Sequence, residues 1–66
     1  MPLTSRTRLA QAKRLLRRME GDEPLMRVRI SEYSPAQQQM ALKLYADTIE
    51  KQRAHITELE AQVNDN

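Results

Sequence analysis

Leu42, Tyr45, Ile49, Gln52, Ile56, Leu59 and Val63 succeed one another at alternating steps of four and three residues. Side chains repeating at that mean interval fall along one edge of a helix, so the second half of the chain carries a heptad seam. An apolar edge of this kind has to be covered, and what covers it decides the architecture. The helix that bears it has clear bounds. Ser34 is an N-cap, Pro35 fits the first helical position and Gln37 completes a capping box. No Gly or Pro follows, so the spacing predicts a helix over 35–63, ~43 Å long at 1.5 Å per residue.

A shorter helix is expected over 6–20. Thr4 or Ser5 caps its start, Gly21 stands at the C′ position and Pro24 blocks continuation. Leu9, Ala12, Leu15, Leu16 and Met19 form its apolar stripe, with Arg6, Lys13 and Arg17 opposite and Arg14 on the flank. At ~22 Å it is too short to shelter the whole longer seam. Ala41 and Leu44, with Met40 at the margin, widen the apolar surface of the longer helix near its start and offer the shorter one a place to dock. The rest of the seam then falls to a second copy. The expected fold is all-α, one domain over residues 1–66: a two-helix hairpin that dimerises into a helical bundle or coiled coil. Leu42, Tyr45, Ile49, Gln52, Ile56, Leu59 and Val63 are the expected dimer interface. β-Branched a positions with Leu59 at d suit two strands, and Gln52 is a polar interruption able to set register. Parallel and antiparallel pairings both fit the pattern.

Residues 21–33 form the connector. Met26, Val28 and Ile30 alternate with Arg27 and Arg29, the period-two pattern of a short strand. An extended segment plugging the hairpin is expected there.

The composition removes several function classes. Sixty-six residues with only two aromatics, Tyr33 and Tyr45, and seven alanines among the apolar residues make a marginal core. With no cysteine there is neither a disulfide framework nor a thiolate metal site, which is compatible with a cytoplasmic setting. No apolar run approaches a membrane span or a signal-peptide core, and the chain from Met1 reads as a complete product. Catalysis has little to work with: one histidine and a single glycine. His55 and Glu58 share a helix face, as do Asp47 and Glu50, and both read as solvated helix pairs. The expectation is a chain without enzymatic activity, cofactor, metal or small-molecule substrate.

Charge is distributed unevenly. Residues 1–19 hold six bases and no acid, whereas residues 20–66 hold five bases against nine acids. A basic helix on an acidic body points to an anionic partner. Arg6, Lys13, Arg14, Arg17, Arg27, Arg29 and Tyr33 are the candidate partner-binding residues. The expected role is a small homodimeric regulatory inhibitor or adaptor that blocks a larger host protein, such as a transcription regulator. In size and layout the chain resembles the small helical-hairpin proteins that phages and mobile elements encode to disable host regulators, including quorum-sensing anti-activators. No residue motif carries that resemblance.

The second reading is a dimeric DNA-binding regulator using the basic helix or an Arg27/Arg29 ribbon. The order of strand then helix, with Arg27 and Arg29 as outward readers and Asp47 and Glu50 capping a further helix, resembles the ribbon–helix–helix repressors. A basic helix before a heptad helix likewise resembles the basic helix–loop–helix proteins in layout.

Overall fold

The computed structural model describes residues 4–64; Met1 and the two chain ends of the expected domain lie outside them. Three helices follow in order: α1 (Ser5–Gly21), α2 (Glu23–Arg29) and α3 (Pro35–Asn64). The all-α expectation holds among the described residues, and the two long helices lie close to their expected bounds. Thr4 caps α1, its Oγ1 accepting from the Thr7 N–H at 3.2 Å. At α3 the capping box forms in both directions. The Gln37 N–H donates to Ser34 Oγ at 3.3 Å, and the Ser34 N–H donates to Gln37 Oε1 at 3.2 Å. Two donors that the first turn leaves without partners are thereby satisfied.

The connector departs from expectation: residues 23–29 form a helix and not an extended strand. Pro24 is the reason. It has no N–H to continue the ladder onto the Glu20 carbonyl, so α1 stops, yet its fixed φ suits the first turn of a new helix. Asp22 is the single residue between α1 and α2, in an αR conformation. Gly21 therefore ends α1 without the left-handed turn expected of a C′ glycine, and its φ is negative. Glu23 and Arg27 are one turn apart and pair at 3.0 Å. Met26 and Ile30, also one turn apart, point inward, with Ile30 buried. Val28, the middle of the supposed alternation, is 70% exposed. The apolar residues at 26 and 30 fit both a period of two and a step of four, and the helix wins because its charges pair and Pro24 starts it. Arg27 and Arg29 thus lie on a helix, so a strand ribbon is absent among the described residues.

From Ile30 the chain turns through Ser31–Ser34 into α3. The Gln38 side-chain amide ties this turn down, donating to the carbonyls of Ser31 at 3.2 Å and Tyr33 at 2.9 Å. α3 then runs back along α1. Tyr45 OH donates to the Met19 carbonyl, and Gln52 Nε2 to the Ala12 carbonyl at 3.0 Å. Val63 lies beside Ser5 and Arg6. As α1 is followed forward, α3 is met in reverse, so the two are antiparallel.

The core is thin and sits between these helices. Ala12, Ile56 and Leu59 are buried together, with Leu9 and Leu16 packed against them. Ala12 sits at the centre, and its single methyl lets the two backbones come near enough for Gln52 to reach the Ala12 carbonyl. The molecule measures 49 × 17 × 16 Å, its length set by the thirty residues of α3 at ~45 Å.

Candidate interaction surfaces

The seam of α3 lies on α1 of the same chain. Ile49, Ile56 and Leu59 are buried, while Leu42, Tyr45, Gln52 and Val63 are half-buried. The seventeen residues of α1 span ~25 Å and oppose α3 from Val63 back to Tyr45. The length mismatch that assigned most of the seam to a second copy is therefore smaller than expected, and it falls at the opposite end. The part of α3 from Tyr45 onward is sheltered by α1, and the N-terminal third extends past it. Met40 and Leu44, expected to receive the shorter helix, are 67% and 61% exposed. On α1, Leu15 is 48% exposed and stands at the margin of the stripe that Leu9, Ala12, Leu16 and Met19 bury or half-bury.

The polar members of the seam act as cross-ties. Gln52 is the hydrogen-bond donor that fixes α3 to the middle of α1. Tyr45 does the same near the end of α1, beside the acidic elbow. Burial, followed by the carboxylates of Glu23, Asp22 and Glu20, raises the pKa of its phenol above the usual 10.0. Losing water and gaining negative neighbours both disfavour the phenolate. Arg53 reaches Glu20 at 3.3 Å across the same junction.

The hairpin has two distinct sides. On one, Leu42, Tyr45, Ala46 and Ile49 floor an open groove of about 710 Å³, rimmed by Glu20, Glu23, Glu50, Arg27 and Arg53. Its rim charges pair locally, Arg27 with Glu23 and Arg53 with Glu20. On the other side, Arg8, Gln11, Ala12 and Leu15 of α1 face Gln52 and His55 of α3 across a shallower depression of about 250 Å³.

All six bases of α1, Arg6, Arg8, Lys13, Arg14, Arg17 and Arg18, are exposed. None enters an ion pair among the described residues. Arg6, Lys13 and Arg17 fall within an arc of about 40° at 100° per residue and make a ridge ~16 Å long. Arg27 is held by Glu23, whereas Arg29 and Tyr33 are exposed, Tyr33 by 52%. The candidate partner-binding residues are thus spread over two regions, the α1 ridge and the α2 turn. Leu25 and Val28, 58% and 70% exposed on the outer side of α2, belong to the second region. Reading that segment as a strand hid Val28, which a strand would have turned inward beside Met26 and Ile30.

Among the described residues no group of three or more His, Cys, Asp or Glu is arranged to hold a metal ion. No helix there is long and apolar enough to cross a membrane. His55 and Glu58 are both exposed on α3. Compared with protein-family models, curated proteins and solved structures, the chain matches none.

Proposed function

We propose that this chain is a homodimeric, non-enzymatic interaction protein, a cytoplasmic regulatory inhibitor or adaptor that docks on a larger protein. One observation carries the reading. α1 covers the seam from Tyr45 to Val63, yet six large apolar side chains remain exposed: Leu15, Leu25, Val28, Tyr33, Met40 and Leu44. Leu25 and Val28 among them stand one turn apart on α2, and a contiguous exposed apolar cluster on a domain this small favours binding to another macromolecule. Leu25 and Val28, with Tyr33 in the following turn and Arg29 beside them, supply aromatic, aliphatic and cationic groups of the kind that anchor protein interfaces.

The test is affinity capture with the intact chain, followed by reconstitution with the purified captured protein. The reading expects a complex of fixed stoichiometry that Leu25→Glu/Val28→Glu weakens at least tenfold while helical content stays the same. Unchanged affinity in that variant, or no saturable complex, overturns it.

A second reading, a dimeric DNA-binding regulator, is favoured by the unpaired cations of α1. It expects duplex DNA binding that falls steeply with salt, with a slope of about 0.9 per phosphate contact. Arg14→Ala/Arg17→Ala would abolish the mobility shift. An absent shift at low salt removes this reading and leaves the first.

A further inference from the structure

We infer that the outer face of α1 docks in the major groove of duplex DNA, with its cations on the phosphates of both strands and no contact that reads the bases. The inference rests on the second, DNA-binding reading above and says how α1 engages the duplex. At 100° per residue, five of the six cations of α1 fall in two rows on the side away from its apolar stripe. Arg6, Lys13 and Arg17 make one row. Arg14 and Arg18 make the other, about 100° further round the helix. All five are exposed, and none pairs with a carboxylate among the described residues. Glu20, the one acid of α1, is turned to Arg53 of α3. Ala10, also exposed, lies between the rows, and Thr7 continues the second row toward the start of the helix.

Three observations select duplex DNA as the occupant. This face carries no large apolar side chain, only cations, Thr7 and Ala10. Protein interfaces anchor on aromatic and aliphatic groups and are depleted of charge at their centre. A helix enters a lipid surface by its apolar face, which α3 covers here. Phosphates need only cations, and four of the five are arginines, whose planar fork grips a phosphate through two bonds. Charge placement also fixes the orientation. Residues 20–66 hold five bases against nine acids, so the field draws a polyanion to α1 and turns the rest of the molecule away from it. The third observation is the spacing of the rows. A helix ~10–12 Å across sets them roughly 8–9 Å apart before the long side chains splay outward, within reach of both walls of a ~12 Å major groove. Single strands are held by aromatic stacking, and α1 has no aromatic residue. The major groove of duplex RNA is too narrow to admit a helix. Sequence neutrality follows from the residues between and beside the rows. Ala10 carries no donor, and Gln11, the one amide side chain of α1, lines the depression beside α3.

The test is fluorescence anisotropy of the intact chain with a short labelled duplex, between about 50 and 200 mM salt. Contact by all five cations expects log Kd to change with log salt by a slope of about 4.5 per bound chain, and affinities within threefold for duplexes of unrelated sequence. Arg6→Gln/Lys13→Gln and Arg14→Gln/Arg18→Gln, one pair from each row, should each weaken binding at least tenfold and lower the slope by about 1.8. Lys43→Gln/Lys51→Gln removes the same charge from exposed positions of α3 and should weaken binding less than threefold. Glutamine suits a helix, so helicity should survive in all three; if it does not, the slope and the competitors decide with the unaltered chain. Binding that needs only one row, that falls equally in the α3 control, or that prefers one sequence by more than tenfold overturns the arrangement and leaves DNA binding standing. Equal or tighter binding to polyglutamate, to phosphatidylserine vesicles or to a single strand of the same sequence overturns the choice of duplex DNA. No binding at low salt overturns this inference together with the DNA-binding reading.

Discussion

Replacing Leu59 by alanine should cost this protein a large part of its stability. Leu59 is 3% exposed, the most enclosed of the buried side chains, and packs with Ala12 and Ile56 where α1 crosses α3. The substitution removes three carbons, which at ~0.8 kcal/mol each loses about 2.4 kcal/mol of transfer free energy. A cavity term adds to that. The layer is only two helices thick, however, so neighbouring side chains can relax into the gap, and the total should be about 2.5–3.5 kcal/mol, toward the lower end for Leu→Ala in cores. A domain of this length holds about 3–10 kcal/mol in all. The midpoint of thermal unfolding should drop by roughly 10–25 °C. Urea titration followed by far-UV circular dichroism measures the difference, with both proteins at one concentration because association adds a mass-action contribution. Leu44→Ala, at a site 61% exposed, is the internal control and should change monomer stability by less than about 0.5 kcal/mol. A Leu59→Ala loss below about 1 kcal/mol would refute the reasoning, since it would mean α1 does not enclose that position.

Other positions give independent checks. Gly21→Ala should stabilise the fold by about 0.4–1 kcal/mol, because Gly21 is helical with negative φ and a Cβ there meets nothing within 4 Å; a destabilised variant would indicate a left-handed residue instead. Ser34→Ala should cost about 0.5–2 kcal/mol, and in a double-mutant cycle with Gln37→Ala the two losses should fall short of additive, because the residues cap one helix end reciprocally. Tyr45 gives a pH dependence. Its folded pKa lies above the unfolded value near 10.0, so its contribution is fully present below that value and is lost as pH rises through the higher folded one. In a Tyr33→Phe background the phenolate absorbance should therefore reach its midpoint only above pH 10.0, and Tyr45→Phe should flatten this part of the stability profile. Titration at or below the ordinary value would contradict the placement of Tyr45 beside the acidic elbow.

The start of α3 was legible because Ser34, Pro35 and Gln37 act locally, through hydrogen bonds within one turn and a fixed φ. Thr4 and the stripe from Leu9 to Met19 announced α1 in the same way. α2 was not legible. Met26, Val28 and Ile30 alternate as a strand does, and Pro24 reads equally as the block after one helix and the opening of the next. Only the one-residue hinge at Asp22 and the Glu23–Arg27 pair separate these readings. Gly21 misled for the same reason, since a helix that restarts at once needs no left-handed exit. For the interaction surfaces, periodicity identified the seam residues as a set that faces one way. It carries no information about which helix lies against them. That depends on register, here set by Gln52 reaching the Ala12 carbonyl and Tyr45 the Met19 carbonyl, bonds between residues forty and twenty-six positions apart. The exposure of Leu15 and Leu44 becomes visible only once that register is fixed.

The enclosure of the α3 seam by α1 of the same chain is measured most directly by isotope-filtered methyl NOEs on an equimolar mixture of labelled and unlabelled protein. The Ala12 methyl should show strong NOEs to the Ile56 and Leu59 methyls within one labelled chain and none in the interchain-filtered spectrum. If those same NOEs appear only between chains, the seam is shared by two copies and α1 does not close it, which contradicts the account.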